Sequence, residues 1–358
     1  MSSFIHRTIR NFFHSHDKFS RDYEDLELQR EAIFETLWET HKSARDLEGW
    51  SLGPDELEGL SIVIIPLDLT ASRAIDVAPD TTSAAYFVPL RQQFIEQHAM
   101  DVSDARTQKR LDNLERHLMP RFSMSLIEYE SLDAYSKAGD LCSRLHMEMS
   151  TRRLAMKDGS SNLSMITRWR RNIDFFPDPA FTTRTVKSRD GFTSNIHHFY
   201  GCSNEPTFPH IKLVLQHSDI VDPEQLLKAE VLAITATMHS RLCAETLRTL
   251  DGSFVSFLVM VFTFAEHIGR ILTAIHDGEA LRISMSAFYN FQRASRETWN
   301  LFARYLGGDI NRHLSTKKVP IRNVASDAEL SPTEAEMTRV RRYARQRRMR
   351  PAVLPKLQ

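Results

Sequence analysis

The hydrophobic and polar positions of this chain change their period along its length, and the changes predict its elements. From Arg21 to His41, Leu26, Ile33, Phe34, Leu37, Trp38 and His41 fall mostly three or four residues apart. That spacing is the stripe of an amphipathic helix, and its opposite face is acidic. "LSIVIIPLDL" then reads as a short strand ended by Pro66, because proline has no N–H for a sheet ladder. "PDTTSAAYFVPL" reads as mostly loop. Further helices are predicted from near Ser103 to Pro120 and through "SLDAYSKAGDLCSRLHMEMSTRRL", the second interrupted near Gly139.

Beyond residue 190 the pattern sharpens. "PHIKLVLQ" is a strand candidate. In the helix that follows, Asp222 is placed as N-cap, Pro223 at the first helical position and Gln225 as the partner in a capping box. Leu227, Val231, Ile234, Met238 and Leu242 form its expected buried stripe, and the helix is predicted to end before Asp251-Gly252. "FVSFLVMVFTF" is apolar on both faces, as a central strand is. Asp277-Gly278 between two extended runs predicts a hairpin with a type I′ turn, which needs positive φ at both central residues. A last helix is capped by Ser295, turns Trp299, Phe302 and Leu306 inward and stops at Gly307-Gly308.

These elements predict an α+β chain: a mainly helical region over 1–150, then an α+β domain over 190–312 with a mostly antiparallel sheet. The two are joined by a basic junction over 151–189. From Arg152 to Arg189 it carries nine basic residues against Asp158, Asp174 and Asp178. Residues 313–358 read as a linker and an arginine-rich disordered tail, since they lack a sustained apolar stripe.

Composition narrows the class. A chain of 358 residues with 42% hydrophobic and 26% charged residues is not disordered throughout. Three cysteines, Cys142, Cys202 and Cys243, make no disulfide framework, which points to a reducing compartment and to nuclear or cytoplasmic residence. The longest apolar run, Phe257 to Ala265, is about half the roughly 20 residues of a membrane-spanning helix, so no transmembrane segment is expected. The opening "MSSFIHRTIRNFFHSH" has the basic and apolar make-up of a transit peptide; a helix that packs on the body or frays is the preferred reading.

Charge is distributed unevenly. The whole chain holds 46 basic and 46 acidic residues, but the last 20 contain seven arginines and Lys356 with no acid. The preceding 338 therefore hold 38 basic against 46 acidic residues. The run "TRVRRYARQRRMRP" supplies Arg339, Arg341, Arg342, Arg345, Arg347, Arg348 and Arg350, enough charge to neutralise several phosphates or to be read by a nuclear import receptor. A weaker basic site is "RWRR" (Arg168, Trp169, Arg170, Arg171), which couples cations with a ring on which a base could stack, although a single tryptophan at a domain junction is more often packing.

Candidate metal chemistry lies in "HHFYGCSNEPTFPH". His197, His198, Cys202 and His210 are ligand types suited to zinc, but adjacent His197 and His198 should point to opposite faces of a strand, so partly exposed loop histidines beside a buried Cys202 are the preferred reading. His239 and Cys243 share a helix face four residues apart and read as packing. Glu230 lies on the flank of its helix stripe and invites comparison with nucleases of the PD-(D/E)XK type, whose carboxylates hold Mg²⁺. The strands lack the matching Asp and Glu-x-Lys, because Asp277 and Glu279 fall in a turn and Leu281 stands where lysine is needed. No Gly-x-Ser-x-Gly elbow, phosphate loop, His-Glu-x-x-His or dinucleotide fingerprint occurs. No catalytic residue and no cofactor are assigned.

The stretches "AEVLAITATMHSRL", "FLVMVFTFAEHIGRILTAIHDGEALRISMSAFYNF" and "WNLFARYLGG" resemble a family of filamentous-fungal proteins with a recurrent helix, strand, hairpin and aromatic helix. The likeness covers about 90 residues of the C-terminal α+β domain, and its pattern is structural. It implies a domain and an origin, and no reaction. The expected function is binding or regulation without catalysis, through a protein partner, an import receptor or nucleic acid met by the tail. The rival expectation is an enzyme, either a degenerate PD-(D/E)XK relative or an accessory enzyme of a fungal metabolic pathway.

Overall fold

The computed structural model describes residues 29–69, 87–118, 133–154, 162–171, 185–187, 193–202, 210–218, 222, 224–243, 258–292 and 294–311. Helix α1 covers 29–46, followed by β1 (Ser51–Leu52), α2 (Pro54–Gly59), β2 (Ile62–Pro66), β3 (Phe87–Val88), α3 (Gln92–Gln97) and α4 (Ala105–Leu118). Next come α5 (Ala134–Ser150), α6 (Leu163–Ile166), β4 (Trp169–Arg171), β5 (Thr185–Lys187), β6 (Thr193–Cys202) and β7 (Ile211–His217). The order closes with β8 (Leu226–Leu227), α7 (Lys228–Cys243), β9 (Val259–Ala265), β10 (Ile268–His276), β11 (Leu281–Met285), β12 (Tyr289–Asn290), α8 (Arg296–Gly307) and β13 (Asp309–Ile310).

The chain is α+β, but its main sheet is mixed. Along the order β2-β11-β10-β9-β7-β6-β4, the pairs β2–β11 and β9–β7 are parallel and the others antiparallel. The parallel β7–β9 pair follows from α7, which carries the chain back across the sheet between them. The second parallel pair spans the expected division at 151–189. β2, from the predicted helical region, registers Ile62 to Leu281 and Ile64 to Ile283, so both sides of that boundary build one sheet. The junction itself supplies edge strand β4.

Alternation along the central strands makes two cores. Leu213, Leu215, Val261, Leu272 and Ala274 face α1 and α7, whereas Val214, Met260, Phe262, Phe264 and Ile271 face α5 and α8. β9 is fully buried and central, as its two-sided apolarity predicts. α7 departs from the single-stripe expectation: residues 229–240 are buried all round, because α1 covers its outer side. The Phe34 ring packs tilted against His239 with centroids 3.8 Å apart, His41 Nδ1 is 2.9 Å from Thr235 Oγ1, and Arg30 donates to Leu242 O. His239 is therefore packing, as expected.

Three local expectations are corrected by tertiary contacts. α7 starts at Lys228, not near Asp222, because Leu226 and Leu227 are taken into β8, paired with β1. Its capping box runs through Glu230, whose carboxylate accepts from Leu227 N at 2.9 Å. α5 is continuous through Gly139. There a Cβ would lie 2.7 Å from Gln216 Nε2, so glycine lets the helix approach β7 closely enough for Gln216 to donate to Tyr135 O. In the β10–β11 hairpin only Gly278 has positive φ, 100°, and Asp277 does not, so the turn is not type I′. Asp277 instead accepts from Glu279 N and Ala280 N and pairs with Arg282.

α8 matches its prediction: Ser295 accepts from Thr298 N, and Trp299, Phe302 and Leu306 are buried. Its C-terminal end is closed by Lys212 from β7. The fully buried ammonium donates to Tyr305 O, Leu306 O and Gly308 O at 2.7–3.0 Å, which satisfies carbonyls that a helix end leaves open.

Candidate functional site

The residues flagged in sequence fall into different roles. Trp169 is fully buried, donates through Nε1 to Gly308 O at 2.5 Å, and lies beneath Lys212 Nζ at 4.0 Å. It is a packing residue at the end of α8, the reading preferred for a junction tryptophan, and offers no face to a base, so the stacking alternative for "RWRR" falls. Arg168 pairs with Asp309, Arg170 donates to Thr167 O and Met165 O, and Arg171 is exposed. The seven tail arginines and the N-terminal segment lie outside the described residues.

Glu230 is a buried structural carboxylate. Arg270 Nε and Nη2 hold its two oxygens at 3.1 and 2.5 Å, and both side chains are completely buried. Arg270 also donates to Gln225 O and lies over the Phe288 ring. A metal ion at Glu230 would have to displace a bidentate guanidinium from a fully buried site, so Glu230 is not an open metal ligand in this arrangement.

His197 and His198 converge, contrary to the opposite-face expectation. β6 is irregular between Ile196 and His198, which pair with the consecutive residues Leu215 and Val214. His197 is the extra residue of a bulge, and a bulge re-aims side chains. His197 Nδ1 is 2.9 Å from His198 Nε2, and the His198 ring lies 4.2 Å from that of His146 on α5. His146 Nδ1 in turn is 2.7 Å from the Tyr200 hydroxyl.

Burial first, then the nearby Arg171 and Arg110 charges and His197, bring His146 down to about 4. Burial and the neighbouring imidazoles lower His198 further. At neutral pH these rings are uncharged, His146 tilted against His198 and His197 edge-on to it. His210 belongs elsewhere: it is buried and accepts from Leu258 N at 3.1 Å. Cys202 closes β6 opposite Trp169, and its side chain lies outside the described residues. Among the described residues no group of three or more His, Cys, Asp or Glu is arranged to hold a metal ion.

Among the described residues, one feature with the shape of a binding site was not singled out in sequence. A cavity of about 340 Å³ lies between residues 99–102, the C-terminal end of α5 and the N-terminal turn of α8. It exists because the chain hooks back after α5: Leu154 N donates to Ala99 O and Asp101 N to Arg152 O, fastening the α3–α4 connection beside the helix end. Arg144 and Glu148, one turn apart, pair at 2.6 Å, and Arg153 returns to Glu148 Oε2 at 2.7 Å. Burial alone would raise the Glu148 pKa, but the Arg144 and Arg153 charges outweigh it and hold the group below the usual carboxylate range.

Arg144 also covers the Trp299 ring, 5.0 Å from its centroid. The only sequence signal was the spacing Arg144-x₃-Glu148-x₄-Arg153, which an i,i+4 surface pair explains equally well. Comparison of the chain with known protein families, curated proteins and solved structures finds no match.

Proposed function

We propose that the protein acts by binding, with the arginine run from Arg339 to Arg350 directing it to a nuclear import receptor or another acidic partner. The supporting observation is the segregation of charge: seven arginines and one lysine without an acid in the last 20 residues, against an acidic remainder. The body adds weight, because the groups with the strongest chemical potential are committed to the fold. Glu230 is held by Arg270, Lys212 by helix carbonyls and His210 by a backbone N–H. Among the described residues no helix is long and apolar enough to cross a membrane.

Deleting residues 339–358 from a tagged protein is the test. The expected result is redistribution out of the nucleus with an unchanged melting temperature; unaltered localisation would remove the tail from the account. Nucleic-acid contact is separated from import by titration with duplex DNA, where several arginine–phosphate contacts would make affinity fall steeply with salt.

A further inference from the structure

The cavity beside α5 carries a conclusion that goes beyond the tail. We propose that it binds a small organic anion, a carboxylate carried on an aromatic or apolar body. Three observations converge on this class.

The first is an unbalanced charge. Arg144, Arg153 and Arg296 line the cavity against a single carboxylate, Glu148. Glu148 already bridges two of these cations, and Arg296, exposed on the first turn of α8, makes no ion pair with a described residue. An anion entering the cavity meets cationic excess in a partly dry setting, where charge–charge attraction is stronger than in water.

The second is an unused donor. Arg153 is 98% buried, and its terminal nitrogens are occupied by His98 O, Glu148 O and the Glu148 carboxylate. Its Nε meets no acceptor. A buried N–H without a partner is costly and rare in folded proteins; this Nε has almost no accessible surface, so a ligand would meet the guanidinium's charge at this wall rather than the Nε itself.

The third is the rest of the lining. Phe291, Trp299, Met100 and Leu111 are buried there, and Val102 and Leu154, about half exposed, form an apolar rim with Arg296. Such walls suit a ring or short apolar body better than a bare inorganic ion. The volume lies at the small end of ligand pockets, which run from roughly 300 to 1,000 Å³. Asn300, also buried in the wall, supplies an amide that can donate or accept.

The probe is 2-naphthoate, titrated calorimetrically into the full chain beside its neutral isostere 2-naphthamide and the cation 2-naphthylmethylamine. The naphthoate should bind saturably, at least tenfold more tightly than the amide, with the amine weakest. Arg296→Gln, at an exposed position, should weaken naphthoate severalfold and leave the amide unchanged. Arg153→Lys keeps the charge but loses the guanidinium that holds Glu148 and the cavity wall in place, and should weaken naphthoate as well; a folded protein is confirmed by its unchanged circular dichroism. Equal affinity for naphthoate and naphthamide, unaltered naphthoate affinity in Arg296→Gln, or no saturable binding into the millimolar range would each overturn the proposal. Tail deletion should leave naphthoate affinity unchanged, so failure here and failure of the localisation test are separate results.

Discussion

Glu230 and Glu148 are both buried carboxylates held by arginine, and they sit on opposite faces of the same sheet. Glu230 faces one guanidinium in a bidentate fork, accepts a third hydrogen bond from Leu227 N and has no exposed surface. Charge and hydrogen bonding there are closed. Glu148 stands between Arg144 and Arg153, with Arg296 near enough to repel Arg153, and the group opens onto a cavity with one arginine donor unused. The lesson is that burial and ion pairing do not by themselves mark function. What distinguishes the second region is incompleteness: more cations than anions, and a cavity lined by those cations.

The largest expected effect breaks the closed pair. Glu230→Ala leaves Arg270 buried without a counter-charge and removes the cap of α7, so it should cost roughly 3–5 kcal/mol in urea unfolding. The double variant Glu230→Gln/Arg270→Met keeps an acceptor for Leu227 N and removes both charges, and it should cost less than either single change. A double variant as damaged as the sum of the singles would contradict the structural reading.

Acid sharpens the comparison next. His217, fully buried and influenced by Glu230 and Arg270, is brought down to about 4, chiefly by burial. The unfolded histidine titrates near 6.5, so between pH 6.5 and 4 the unfolded chain binds the extra proton. Stability should fall as pH drops through that window, by up to roughly 3 kcal/mol for this one group. His41, His146 and His276, also brought to about 4 by burial, act in the same direction. Urea midpoints measured from pH 7 to 4 should decline steadily, and a flat profile would show that these rings are not buried as described. The smallest effect belongs to the open region: Arg296→Gln should change stability by less than about 0.5 kcal/mol, as exposed positions do, while weakening the anion.

How much of this was legible in sequence depends on the range of the interactions involved. β9, the β10–β11 hairpin and α8 were readable because apolar patterning, a Gly-containing turn and a Ser cap are local signals. The start of α7 was misplaced because Leu226 and Leu227 pair with β1, some 175 residues earlier. The parallel partnership of β2 with β11 was likewise invisible, since no local pattern encodes it. The bulge that brings His197 beside His198 has no sequence signature, and without it strand alternation separates the two rings. Gly139 was misread as a helix break because its cause, Gln216, lies on another element. The cavity escaped notice because Arg153 was counted with the basic junction, and no local pattern joins it to Arg144 or Arg296. Only the hook between residues 99–102 and 152–154 converts them into a wall.

Thermal unfolding with and without saturating 2-naphthoate tests the contrast between the two regions most directly. Ligand that binds only the folded chain stabilises it by about 2.7 kcal/mol at a hundredfold excess over Kd. The wild type and the Glu230→Gln/Arg270→Met variant should both show this rise in melting temperature, whereas Arg296→Gln should show much less at the same concentration. An equal rise in Arg296→Gln, or loss of the rise in the Glu230→Gln/Arg270→Met protein, would contradict the assignment of one pair to the fold and the other to a ligand.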